Sequence, residues 1–181
     1  MEKSQSMTRT RAAALIGASL LALAAPATVS ASAKYELLKQ LQVEQTWASI
    51  RGQYGKVWPL LHPRYQRVTT RAFWEACQRK HARKTAGVKW LSVKATAAYP
   101  DRVTLPLLGS IPVVAVSVEA KIKHLGSTQT VRDTHYWATP NWTVERDGSV
   151  IRAGEWVWLW DPATYRAYKA HRCPASRARF F

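Results

Sequence analysis

Acidic residues are scarce in this chain: 11 Asp and Glu stand against 27 Lys and Arg, a formal net charge of +16. Such a field attracts polyanions and repels basic partners. Cysteine is scarcer, with two thiols in the whole sequence, Cys77 and Cys173. Two cysteines cannot build a metal site made of thiolates alone, and no metal-spaced cluster of Cys and His appears elsewhere. There is no Gly-rich phosphate loop, no internal repeat and no low-complexity tract. Beyond the first 30 residues no apolar run approaches the roughly 20 residues that a membrane-spanning helix needs. These absences argue against nucleotide-loop enzymes, zinc modules, solenoids and integral membrane helices. No cofactor and no metal is expected.

The amino-terminal end follows another pattern. Lys3, Arg9 and Arg11 face only Glu2, an apolar run fills residues 12–25, Pro26 breaks it, and Ala31-Ser32-Ala33 supplies small residues at the positions a signal peptidase reads. That is the order of a secretory leader, predicted to be cleaved before Lys34. The run is apolar on every face, which does not suit an amphipathic first helix. No cysteine stands at the cleavage site, so no lipid anchor is available, and Arg9-Thr10-Arg11 is not the adjacent pair of the twin-arginine route. The expected product is secreted, with one α+β domain over residues 34–174 and a loose basic tail over 175–181.

In an oxidising compartment two thiols and no others read as one disulfide, Cys77 to Cys173. The competing reading is a reactive Cys77 with His81 one helical turn on. The positive charge is uneven. Arg64, Arg67, Arg71, Arg79, Lys80, Arg83, Lys84, Lys89 and Lys94 crowd one stretch against Glu75 alone. Arg79, Lys80, Arg83 and Lys84 are the candidate anion-binding residues. Outside a cell their partners would be envelope polymers and anionic lipid heads, and nucleic acid is disfavoured by the exported address. A merely solvated basic face remains the alternative.

Periodicity divides the chain in two. Leu37, Leu38, Leu41, Val43, Trp47, Ile50 and Tyr54 recur at helical spacing and predict a helix over 34–54. A short helix or turn over 56–62 should stop at Pro63. Thr69 or Thr70 caps a helix reaching Lys84, with Phe73, Ala76 and Cys77 inward. From Val88 the period becomes two. A first strand turns at Pro100-Asp101, and Val114, Val116, Val118, Ala120 and Ile122 mark one face of the next. Further strands follow over 129–138, 141–145 and 149–160, the last two joined at Asp147-Gly148. A helix turn over 162–170 leads to Cys173. Helices followed by a mostly antiparallel sheet is the α+β arrangement. Asn141-Trp142-Thr143 matches a glycosylation acceptor, relevant only in a eukaryotic secretory route.

Three stretches carry a resemblance: Trp47 with Gly52-Gln53-Tyr54-Gly55-Lys56-Val57-Trp58-Pro59-Leu60-Leu61-His62-Pro63, then Thr70-Arg71-Ala72-Phe73-Trp74-Glu75-Ala76-Cys77, then a Trp-rich final strand running into Cys173. Together they resemble exported, actinobacterial-type members of the nuclear transport factor 2-like (SnoaL-like) superfamily. The resemblance implies a cone, with N-terminal helices in the concave face of a curved sheet and a pocket between them. Such relatives include isomerases, cyclases and dehydratases as well as non-catalytic binding modules, so fold alone does not choose. No general acid and base of the enzymatic members align here.

Candidate site residues follow from alternation. Val131, Asp133, His135 and Trp137 share one face of their strand. If that face lines a pocket, Asp133 and His135 could transfer protons while Tyr54 polarises a substrate; if not, Arg132, Thr134 and Tyr136 point inward instead. Trp156 and Trp158, with Trp137, are candidate walls for a small apolar ligand, although a stripe of this kind is more often core. His62 reads as a turn or capping residue. Residues 105–112 are apolar yet carry Pro106 and Pro112, which should bar them from a central strand. They read as a lid, as an apolar foot beside the basic face, or as a packed loop. The favoured expectation is an exported, non-catalytic ligand-binding or accessory module. A small cofactor-free enzyme and a binder of anionic envelope polymer or lipid are the alternatives. Oligomeric state is not readable.

Overall fold

A computed structural model describes residues 31–139, 144–146, 149–151 and 154–175. The helical half comprises α1 (Ala31–Ile50), α2 (Tyr54–Val57), a 3-10 turn (Trp58–Leu60), α3 (Pro63–Gln66) and α4 (Arg71–Lys84). The sheet half comprises β1 (Lys89–Leu105), β2 (Gly109–His124), β3 (Ser127–Ala138), β4 (Val144–Arg146), β5 (Ser149–Ile151) and β6 (Val157–Leu159), closed by α5 (Pro162–Lys169). Strands β1-β2-β3-β6 form one antiparallel sheet, and β4 and β5 pair by themselves. The fold is α+β, with the helices ahead of the sheet and one disulfide, Cys77 to Cys173. No described helix is long and apolar enough to cross a membrane. Of the predicted leader, residues 1–30 lie outside the described residues, while Ala31, Ser32 and Ala33 begin α1. The glycosylation match, the Asp147-Gly148 turn and residues 176–181 also lie outside them.

Several elements depart from expectation, each for a local reason. The first helix stops at Ile50, because Gly52 takes a φ of +71° and Gln53 N–H returns to the Ala48 carbonyl at 2.8 Å. Tyr54 therefore belongs to α2. The buried face of α1 is Leu38, Gln42, Gln45, Thr46 and Ala48, whereas Leu37 is exposed. Pro63 does not end a helix but opens α3, where its missing N–H and fixed φ suit the first position. In α4, Thr70 caps as expected, its Oγ1 accepting from Phe73 N–H. The buried residues there are Trp74 and Cys77, and Ala76 is exposed.

The sheet corrects two proline arguments. Strand β1 runs straight through Pro100-Asp101, since it is an edge strand with one side unpaired. Pro112 lies inside β2, a central strand, but pairing with β3 begins only at Val114↔Trp137, so β2 is still open on that side. The expected strand over 149–160 is two strands, separated around Gly154 at a φ of +90°. The alternation in β2 holds: Val114, Val116, Val118, Ala120 and Ile122 are all buried.

Two apolar clusters result. Leu38 packs with Val114, Val116 and Trp137 where α1 meets the sheet. The larger cluster joins Tyr54, Trp58, Leu61, Tyr65, Trp74, Cys77, Trp160 and Tyr168, and Trp158 touches both. Trp160 is the hinge pin of the larger one, stacked on Tyr168 at 4.5 Å and on Tyr65 at 5.5 Å. Those two contacts bring α5 against α3. The Leu61↔Trp158 bridge and the His62 N–H bond to the Trp158 carbonyl fasten the same region to β6.

Candidate functional site

An open groove of about 560 Å³ lies between α3, the 106–108 turn and α5, lined by Arg64, Arg67, Val68, Leu107, Tyr165 and Lys169. Its geometry begins at His62. The imidazole Nδ1 accepts from Arg64 N–H at 3.2 Å and caps α3. That single helical turn buries Tyr65 and Gln66 and leaves Arg64 and Arg67 outward. Gln66 is locked inside by donating to the Trp58 carbonyl at 2.7 Å. Two side chains of α3 then grip the β1–β2 turn: Tyr65 donates to the Pro106 carbonyl at 3.2 Å, and Arg64 Nη1 to the Leu107 carbonyl at 2.8 Å. Opposite, Asp161 caps α5 by accepting from Ala163 and Thr164 N–H, which orients Tyr165 inward and Lys169 to the rim. The Lys169 ammonium stands 5.8 Å from the Tyr165 ring.

The electrostatics are one-sided. Among the described residues none of Arg64, Arg67 and Lys169 has a carboxylate partner, so three cations surround Val68, Leu107 and Tyr165 without compensation. Burial, then the neighbouring Tyr165 and Asp161, push the Tyr65 hydroxyl well above its ordinary range, so it stays a donor to the turn. Burial, then Arg64, lower His62 to about 4, which keeps Nδ1 free to accept at neutral pH. Guanidinium groups placed this way can hold phosphate or carboxylate oxygens.

The residues singled out from the sequence fall into three places. On α4, Arg79 shares Glu75 with Arg71, at 3.3 and 2.8 Å, and hydrogen bonds from Arg71 lead in lowering the Glu75 pKa. Lys80, Arg83 and Lys84 are exposed, with no ion pair among the described residues. On β3, the face of Asp133 and His135 is the face of Trp137, which looks toward α1. Asp133 is exposed and bonded to Thr134 N–H. Its Oδ2 stands 4.0 Å from His135 Nε2, beyond hydrogen-bond reach. Burial lowers the His135 pKa more than Asp133 and Asp161 raise it, so the ring is neutral at neutral pH. Tyr54 packs edge-on against Trp74 at 6.1 Å in the other cluster, apart from Trp137. Trp137, fully buried, donates to Gln42 Oε1 at 2.8 Å, with Trp158 opposite it in register and Trp156 also against this cluster.

Sequence reasoning missed the groove as a unit. Arg64 and Arg67 were visible only as part of the basic run, and Leu107 only as part of the odd apolar segment. Nothing marked Val68, Tyr165 or Lys169. Among the described residues no group of three or more His, Cys, Asp or Glu is placed to hold a metal ion. No protein-family model, curated protein or solved structure matches the chain.

Proposed function

We propose that this chain is an exported, non-catalytic binding module of the cell envelope, built on the nuclear transport factor 2-like plan, that holds an anionic envelope component. The observation that carries the reading is the set of uncompensated cations, Lys80, Arg83 and Lys84 on α4 and Arg64, Arg67 and Lys169 at the groove, on a chain of net charge +16. Export is supported by the leader pattern and by the Cys77–Cys173 disulfide, a bond that persists in oxidising compartments. Binding is favoured over turnover because the three catalytic candidates are not brought together: Tyr54 packs on Trp74 in one apolar cluster, while Asp133 and His135 share the strand face of Trp137 in the other.

The test is retention of the exported protein by an acidic teichoic-type polymer compared with a neutral polysaccharide. Retention should be selective for the acidic polymer and should fall steeply from about 50 mM to about 500 mM salt as charges are screened. Equal retention on both, or no response to salt, would overturn the reading. Amino-terminal sequencing of the exported product should begin at Lys34.

A further inference from the structure

We propose that the groove between α3, the 106–108 turn and α5 is a membrane-docking site for an anionic phospholipid. Arg64, Arg67 and Lys169 take the headgroup phosphate, and Leu107 enters the acyl boundary. This rests on the reading of the chain as a binder of anionic envelope components and names which component and which surface.

The argument starts with Leu107. It is 49% exposed and holds a φ of +68°, a left-handed conformation that costs any residue with a Cβ and that glycine adopts freely. A leucine there bears a backbone cost while about half of its surface stays exposed at the groove mouth, so its own packing accounts for it only in part. An apolar side chain presented at a rigid tip is the form that suits an acyl layer. The tip is rigid because two side chains of α3 hold its carbonyls, Tyr65 on Pro106 and Arg64 on Leu107. Arg64 therefore links the apolar tip to the cationic rim through one N–H and keeps its others for a ligand.

The occupant follows from the lining. Three cations line the groove together with Val68, Leu107 and Tyr165, so it is amphiphilic as well as basic. A polyanion has no apolar part to cover Leu107, and an apolar ligand leaves three cations unanswered. A phospholipid satisfies both, and phosphate matches the guanidinium forks of Arg64 and Arg67.

The experiment is co-sedimentation of the exported protein with phosphatidylcholine vesicles, with or without phosphatidylglycerol. The wild type should sediment only with the anionic vesicles, and free glycerol 3-phosphate should not compete, which separates a lipid surface from a soluble headgroup. Arg67→Gln with Lys169→Gln should weaken vesicle binding about 25-fold, taking about fivefold for each cation at an anionic surface. Lys121→Gln with Lys123→Gln removes the same charge from exposed positions of β2 that do not line the groove, and should change binding less than about threefold if docking is through the groove. Leu107→Gly should lose several-fold affinity while melting no lower than the wild type, because glycine relaxes the φ. An equal effect of the β2 pair, full binding by Leu107→Gly, or competition by glycerol 3-phosphate would overturn the proposal. Salt-sensitive retention on acidic polymer without vesicle binding would sink this inference and leave the broader reading standing; loss of both would sink both.

Discussion

Replacing both cysteines with alanine tests the covalent frame of the domain. The bridge spans 96 residues of sequence, from α4 to the segment after α5. In the chain-entropy account, closing a loop of that length removes about 4.7 kcal/mol of unfolded-state freedom. Alanine at buried Cys77 adds a small packing loss, of order 1 kcal/mol. The native state should survive, because α5 has other attachments: Tyr168 stacks on Trp160, meets Phe73 edge-on and accepts from Gln78. The expected loss is therefore a global one of about 4–6 kcal/mol, a fall of roughly 10–20 °C in Tm for a domain of this size. Paired thermal melts by circular dichroism measure it. Urea titration adds an independent readout, since an unbridged unfolded chain exposes more surface and should raise the m-value. A Tm shift under about 4 °C with an unchanged m-value would refute the reasoning and leave the bridge as a local clasp on the tail.

Other perturbations probe the polar interior. Gln42→Leu leaves the buried Trp137 Nε1 without its partner, while Thr46 Oγ1 keeps its bond to the residue 42 carbonyl, and should cost about 1–3 kcal/mol in urea unfolding. Adding Trp137→Phe should recover the hydrogen-bond part of that cost, and strict additivity in the double variant would contradict it. His62 is neutral in the fold and charged when unfolded below its ordinary pKa. Its share of stability is thus complete above about pH 6.5, falls as pH drops toward about 4 and levels off there. His62→Asn keeps an oxygen to cap α3 and should flatten that part of the acid limb; an unchanged pH profile would count against the assignment. Asp133→Asn, at an exposed carboxylate 4.0 Å from its imidazole, should alter stability by less than about 0.5 kcal/mol and leave vesicle binding unchanged.

The helices-then-sheet order was legible because each half has its own period. Thr70 announced α4, and the valines of β2 announced its buried face. The misreadings have one physical source: a pattern specifies a local conformation, whereas its neighbours decide whether that conformation is used. Pro100 and Pro112 argued against strands by themselves, yet each lies where the sheet offers no second partner. The stripe on α1 was read from leucines, but the buried side is rich in amides and hydroxyls because Gln42 meets Trp137 across 95 residues of sequence. A glutamine reads as surface until its partner is known.

The groove was harder to foresee for a reason that also bears on how it works. Its residues come from three separated stretches, α3, the β1–β2 turn and α5, and no one of them is unusual by itself. They meet because Trp160 stacks on Tyr65 from one side and on Tyr168 from the other, while Tyr65 and Arg64 hold the turn. The aromatic stack is thus the scaffold on which the cations are spaced. Trp160→Leu should disturb the groove without touching one of its lining residues, and vesicle affinity should fall together with Tm. A variant that lost several degrees in Tm yet kept full vesicle affinity would show that the cations act independently of one another, as a diffuse positive field and not as a built site.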